Sequence, residues 1–288
     1  MLNLLLSILS SSFILVIFKI AGKRQFPALL LVILNYFSAS FLGYYLAGTN
    51  PTEVIQSTDV QWIPIVLIGS IFVFTFFLIG ETTKKSGIAV TTIASKMSFI
   101  LPVAVSFMID KNDTVTFTKI VLIIAALVAV LLTVYKKNDK KERSWLFPLM
   151  LFVLLGLADS LVKYMQTTHI KDLQSSSQFS ATIFSVSAVL GIVVWLFYGA
   201  ERKKIFKPSI LLLGLLLGVF NFGSLYFLVN ALNVLQYNNS IVLGINNLGV
   251  VVLSVAIALV VYKEKLMPIN KIGIALSIVI VALMAIFV

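Results

Sequence analysis

One lysine, Lys96, stands in the run TTIASKMSFILPV, where every other residue from Thr91 to Val103 is apolar or small. The residues one helical turn away are Thr92, Ile93, Phe99 and Ile100, none of them acidic. A charge placed this way suits binding rather than bond-making. In a cavity, an ammonium without a neighbouring acid attracts a carboxylate or phosphate and repels cations. The alternative is a lysine neutralised by an acid elsewhere in the fold and serving packing alone.

A second ionisable group lies in LGLADSLVKYM, where Asp159 is followed four residues later by Lys163. Asp159 is either a helix-surface partner of Lys163 or a counter-ion and proton-responsive gate beside a cavity. The neutral candidates are amides and phenols. Asn246 and Asn247 sit in LGINNLGV, Asn35 and Tyr36 in LNYFSASFLGYY, and Asn221 in LGVFNFGSLYFLVN. Adjacent helical residues point about 100° apart. One of Asn246 and Asn247 can therefore face a ligand while the other bonds a neighbouring helix. Hydrogen bonding between helices is the competing role, worth about 0.6 kcal/mol on average. Tyr226 and Asn230 read equally as pocket residues or as interface anchors. Gly214 and Gly218 form a small-xxx-small pair for close helix packing.

The segments that carry these groups belong in lipid. The chain has 288 residues, 60% hydrophobic and 11% charged, with a mean hydropathy of +1.07. Soluble domains are nearer 45–50% apolar and about a quarter charged. A membrane core takes about 20 apolar residues per helix. The sequence supplies ten such stretches, at 2–20, 28–48, 62–80, 88–109, 118–135, 145–165, 179–199, 209–230, 239–261 and 270–288. The first has a long apolar run and no basic leader, so it reads as a spanning helix and not a signal peptide. In the fourth stretch, Lys96 lies about 12 Å along the axis from the start. Holding a lysine that deep costs about 2.5–3.5 kcal/mol on insertion scales, which favours a functional reason for it.

The two halves of the sequence, 1–138 and 139–288, echo each other. FSAS at 37–40 answers FSVS at 184–187, IFKI at 17–20 answers LVKY at 161–164, and FLIG at 77–80 answers FLVN at 227–230. TKIVLIIAALVAVLL from Thr118 answers NKIGIALSIVIVALM from Asn270. Each half holds five segments. An odd number makes the second half enter the membrane from the opposite face, which predicts two inverted repeats in one integrated membrane domain.

Charge orients the molecule. Seventeen of the 22 Lys and Arg residues fall in one set of alternating loops, four in the other set, and Lys96 is the remaining one. The richer side is expected in the cytoplasm, with both termini outside. This distribution also accounts for the net charge of +11 without nucleic acid. There is no cysteine, and the one histidine, His169, has no metal-ligand partner at useful spacing. No metal, cofactor or thiol chemistry is expected.

Taken together, SKMSFILPVAVSFMIDKNDTVTFTKIVLIIAAL in the first half and INNLGVVVLSVAIALVVYKEKLMPINKIGIALSIVIVAL in the second resemble the drug/metabolite transporter superfamily. The EamA-type permeases are the most similar branch. The KEKL hairpin with Glu264 looks like that family's acidic hairpin before its last helix, whereas the first half carries DKNDT at the corresponding place. The resemblance implies ten transmembrane helices in five-plus-five inverted repeats. It implies a multi-pass protein of the bacterial inner membrane and alternating access at a mid-membrane site. Small multidrug members carry an essential glutamate in the first helix, where this chain has Ser10, Ser11 and Ser12. Export of hydrophobic cations coupled to protons is therefore not expected.

The expectation is a secondary transporter, with Lys96, Asn35, Tyr36, Asn221, Asn246 and Asn247 binding an amino acid or small organic anion. Asp159 is the coupling or gating candidate. The partners expected are that small molecule and membrane lipid. No G-x-x-x-x-G-K-[ST] loop is present for ATP. A membrane-embedded enzyme would need a nucleophile with a base, or a metal cluster. A receptor or scaffold is the third class, and no appended domain is present to read out a signal.

Overall fold

A computed structural model of the chain describes residues 1–56, 61–102, 117–135, 145–169, 173–198, 207–234 and 239–287. Among the described residues all regular structure is helical. The helices are α1 Leu2–Lys23, α2 Ala28–Ala47, the short α3 Pro51–Gln56, α4 Trp62–Ser86 and α5 Ile88–Met97. They continue as α6 Phe117–Val134, α7 Leu146–His169, α8 Leu173–Tyr198, α9 Pro208–Val234, α10 Asn239–Ala256 and α11 Pro268–Phe287. A π-helical turn, Ile257–Val261, extends α10.

Five of these helices are long and apolar enough to cross a membrane: Leu2–Lys23, Ala28–Ala47, Trp62–Ser86, Ser177–Phe197 and Pro208–Ala231. Shorter apolar helices cover Ile88–Pro102, Ile120–Val134, Leu146–Val162, Ile245–Val261 and Pro268–Leu283. These are the lengths and compositions of a multi-pass membrane protein. The outward surface agrees. On α2, Phe37, Phe41 and Tyr45 are exposed on one stripe, while Leu31, Asn35 and Ala39 are fully buried on the other side. In water such a stripe would be an aggregation patch, whereas in lipid it is the solvated face.

The helix boundaries differ from the sequence reading chiefly at α5. Within the expected helix 88–109, the first helix runs to Met97, the chain turns at Ser98 and Phe99, and it is helical again from Ile100 to Pro102, the last described residue of this stretch. Pro102 is the cause. Its ring clashes with the carbonyl four residues back, Ser98, and it brings no N–H to that carbonyl. Leu101 N–H closes a tighter bond to the Ser98 carbonyl, 3.0 Å long. Residues 103–116, with the DKNDT sequence, lie outside the described residues, as does the KKNDKKER loop.

α5 is the central strut. Ile88 through Ala94 are all buried, and the helix packs on α10, α7, α4 and α6. Around it, α2 packs on α8 and α9, α1 on α9 and α10, α4 on α7 and α8, and α11 on α6 and α10. Glycines set two of these distances. A Cβ on Gly214 would meet the Leu34 side chain at 2.5 Å, and one on Gly218 would collide with the Asn35 carbonyl oxygen, so α9 lies directly on α2. Gly273 lets α11 press on α6, since a Cβ there would meet Thr133 N at 2.5 Å.

Candidate functional site

Glu264 fixes the depth scale of the site. It lies just beyond the π turn, and its backbone N–H bonds the Ala258 carbonyl at 3.0 Å. Its carboxylate accepts the Ile88 N–H at 2.8 Å and the Ala89 N–H at 3.3 Å, capping the N-terminus of α5. Lys19 Nζ, from α1, donates to the same carboxylate at 2.7 Å. Negative charge at a helix N-terminus is favoured by the dipole and by the free N–H groups there. Beside it, Lys23 lies over the Tyr262 ring at 4.7 Å. Burial, and then the Glu264 charge, hold the Tyr262 hydroxyl above its ordinary value of 10.0, so it stays protonated.

Two helices leave this latch in the same direction. Lys96 is eight residues beyond Ile88 on α5, and Ser11 is eight residues before Lys19 on α1. At 1.5 Å per residue, both lie about 12 Å inside the bundle. At that depth α1 gathers α9 and α10 through its small hydroxyls. Ser7 donates to the Ser224 carbonyl at 2.8 Å, Ser10 Oγ faces Gly223, and Ser254 donates to Ser12 at 3.2 Å. Ser7 and Ser12 are therefore packing groups that hold the neighbouring helices.

Lys96 is in the last turn of α5, where the free carbonyls and the negative end of the dipole favour a cation. Ser95 donates to the Thr92 carbonyl at 3.0 Å and Ser98 to the Ser95 carbonyl at 2.6 Å, tightening the end of the helix. On this otherwise buried helix, Ser95 and Lys96 are partly accessible. α7 supplies the facing group. Asp159 lies close enough to Lys96 for their charges to act on one another, and its carboxyl is beside the Ser98 hydroxyl. The two charges are not closed into an ion pair. The pairs among the described residues are Lys19–Glu264 and Glu81–Lys85.

The face on which Asp159 stands decides what it is exposed to. On α7, Met150, Val153, Leu157 and Tyr164 form the outward apolar stripe, and Leu151, Phe152, Gly156 and Ala158 are buried. At 100° per residue, Asp159 points about 160° from Leu157, into the middle of the buried side. It is nevertheless exposed. Its side chain lies on the side of α7 that packs in the bundle, where α5 with Lys96 is a neighbour. The interior is also graded. Towards Glu264, α1 from Ser12 to Ala21 is mostly buried and α5 is closed on all sides. In the other direction α9 is partly accessible all round from Gly223 to Asn230.

The other candidates divide into two groups. Asn35 is fully buried on α2 with neither amide atom hydrogen-bonded, and the Asn221 Nδ2 and Asn246 Oδ1 atoms are buried without partners. Buried amides are normally satisfied by protein or by ordered water, so these three mark polar interior sites. Asn247 is partly accessible. Tyr36 belongs instead to the packing. It is fully buried, donates to the Phe72 carbonyl at 2.7 Å and packs against Phe76 and Phe184. Asn230 bonds back to the Tyr226 carbonyl within its own helix at 3.0 Å. The Lys163 side chain lies outside the described residues, and with it the surface-pair reading of Asp159. Among the described residues no cluster of His, Cys, Asp and Glu could hold a metal.

Sequence reasoning did not find two further residues. The Glu264 hairpin was visible as a motif, but its partners on α1 and α5 were not. Asn270 was visible only as a repeat match. Its Nδ2 donates to the carbonyls of Leu132 (3.1 Å), Thr133 (2.9 Å) and Tyr135 (2.9 Å), closing the C-terminus of α6. Its Oδ1 accepts the Met267 N–H at 3.1 Å.

No family model matches the chain. An uncharacterized protein of Haemophilus influenzae is 25% identical over 285 residues, covering 96% of this chain and 94% of that protein.

Proposed function

We propose that the chain is a secondary transporter that moves a small metabolite across the membrane by alternating access to a site around Lys96. The observation that carries this reading is Asp159. It stands in the middle of the buried face of α7, a carboxylate among apolar neighbours, and lies near enough to Lys96 of α5 for the two charges to act on one another. Intramembrane ionisable groups facing an internal cavity mark substrate or ion pathways. Sealing at the Glu264 end and accessibility at the other is the arrangement of one state in an alternating-access cycle.

The packing supports a repeated architecture of ten spans. Exchange α1 with α7, α2 with α8, α4 with α9, α5 with α10 and α6 with α11. The contact between α2 and α9 then becomes that between α8 and α4, and α1 on α9 becomes α7 on α4. Likewise α1 on α10 becomes α7 on α5, α10 on α11 becomes α5 on α6, and α2–α8, α5–α10 and α6–α11 map onto themselves. Two bundles related in this way rock about a shared midplane site. In this reading the basic loops, including the Glu264 end, face the cytoplasm of a bacterial cell. The resemblance to EamA-type permeases points the same way.

The test is flux. Purified protein in liposomes should take up or exchange a metabolite found by thermal-shift screening, and Lys96→Ala should abolish that flux while the protein inserts normally. Protein-free rates in liposomes, for a metabolite that stabilises the purified protein, would refute transport.

A further inference from the structure

We propose that a trough on the outward side of α2 and α8 binds one acyl chain of a membrane glycerolipid, selected by the chain and not by headgroup charge. The site lies on the outer surface and stands or falls separately from transport. The trough has a volume of about 650 Å³. On α2 it is lined by the exposed stripe of Phe37, Phe41 and Tyr45, with the last two rings stacked 6.4 Å apart. On α8 it is lined by Val189 and Ile192, also exposed. Beneath these lie Ser40, Tyr44 and Ala188, all buried. The polar groups at this level are satisfied across the helix pair. The Ser40 and Ser185 hydroxyls bond to each other, as do those of Tyr44 and Thr182 at 3.2 Å. The two helices touch here, since a Cβ on Gly43 would lie 2.8 Å from the Ala181 Cβ. The trough therefore has a fixed floor with no polar group to offer a ligand along it.

Length, width and charge name the occupant. Phe37 is halfway along α2, and Gly48 caps the end away from the Glu264 latch. From one to the other is about 16 Å at 1.5 Å per residue. That matches the hydrocarbon depth of one leaflet, about 15 Å. The trough ends at Gly48, Thr49 and Pro51, where Val54 of α3 packs on Tyr44 and Ala181. A Cβ on Gly48 would meet nothing within 4 Å, so this end is open. Among the described residues the lining carries no charged side chain, so a headgroup leaving there meets neutral groups. A helix with its side chains is about 10–12 Å across, too wide for a trough between two helices in contact, whereas a single acyl chain fits. Lipid tails are as apolar as these walls, so packing and not transfer from water holds the chain. A smooth helix face touches a lipid on one side. The trough touches it from two walls and a floor, and a gap at any of them would forfeit dispersion contacts.

The experiment uses the full-length protein in liposomes that contain a phosphatidylcholine with a photoreactive diazirine on one acyl chain. Adducts are read residue by residue by mass spectrometry. The reference is the exposed stripe of Met150, Val153 and Leu157 on α7. Labelling at Phe37, Phe41 and Val189 should saturate as the probe fraction rises, while labelling on α7 should grow in proportion to it. At low probe fraction the trough should exceed α7 by roughly 5- to 30-fold, as about ten additional atom contacts would give. A phosphatidylglycerol probe should label the trough equally well. Val189→Trp, which fills the trough from an exposed position, should remove the saturating component and leave α7 labelling unchanged. Proportional labelling of both helices in the wild-type protein would mean ordinary boundary lipid and overturn the site, whatever the variant does. A preference between the two headgroups as large as that of the trough over α7 would overturn selection by the chain. An unlabelled trough, in a protein that cross-links to a second copy through Val189→Cys, would assign this face to an interface between copies and overturn the proposal as well.

Discussion

Lys19 Nζ lies 2.7 Å from Glu264 Oε1, joining the first long helix to the hairpin before the last one. The carboxylate also caps α5 through the N–H groups of Ile88 and Ala89, so the two partners are not equivalent. Glu264→Ala leaves Lys19 unpaired and both N–H groups free. Breaking a buried pair costs about 3–5 kcal/mol, and the side chains here are 17% and 9% exposed, so the lower end of that range is expected. Lys19→Ala should cost less, because Glu264 keeps the helix terminus. The reversed pair, Lys19→Glu with Glu264→Lys, should fail to restore stability, since an ammonium cannot accept an N–H. Full recovery of the melting temperature in the reversed pair would show that the cap contributes nothing.

Gly87 stands against the same carboxylate. Its φ is +95°, and a Cβ would meet Glu264 Oε2 at 2.5 Å. Gly87→Ala therefore combines backbone strain, of order 1–3 kcal/mol, with displacement of the cap. The two effects are separable. In a Glu264→Ala background, the added cost of Gly87→Ala should shrink to the backbone part, a non-additivity of the kind found for contacting residues. Strict additivity of the two melting-temperature losses would argue against the contact.

These interactions divide what the sequence made legible from what it did not. Long apolar stretches are a strong one-dimensional signal, and the segments from Leu2, Ala28, Trp62 and Pro208 were readable for that reason. The depth of Lys96 followed from counting along one helix. The break at Ser98 was written in Pro102, but the surrounding apolar run masked it. Asp159 beside Lys96 is a property of how α7 packs on α5, and no spacing within either helix encodes it. The same holds for Glu264 with Lys19. Tyr36 and Asn35 are adjacent in sequence and equally buried, yet only Tyr36 finds a partner, in the Phe72 carbonyl. That distinction depends on where α4 lies.

Asn270 should be a stability residue without influence on ligand selectivity. It joins α11 to three carbonyls at the end of α6. Asn270→Ala leaves those acceptors short of a donor, at about 1–3 kcal/mol. Asn270→Asp should be worse, because a carboxylate would face three carbonyl oxygens. Both should lower the melting temperature and leave the ratio of binding constants across a ligand series unchanged. A shifted ratio would place Asn270 in the binding machinery instead.

Orientation is tested by labelling, which the absence of native cysteine makes clean. Single cysteines at Lys140 and Thr52 should behave oppositely towards an impermeant thiol reagent on intact cells, with 52 labelled and 140 protected. The reverse pattern would turn the molecule over and put the Glu264 latch at the outer face.

The strongest test of the interior site compares Lys96→Ala, Asp159→Ala and the double variant. If the two groups serve only each other, each single variant leaves one buried charge uncompensated and loses stability. The double variant then regains both stability and transport. If they serve a ligand, the double variant regains stability but not transport, because both ligand contacts are gone. Lys96→Arg adds a finer distinction. A planar guanidinium presents its donors as a fork, whereas the ammonium is a compact charge. Lys96→Arg should keep the fold and the balance with Asp159, yet lose most of the flux. Wild-type transport in the double variant would end the case for ligand contact. Lost transport with a wild-type melting temperature would mean that the two charges face each other across the space the substrate occupies.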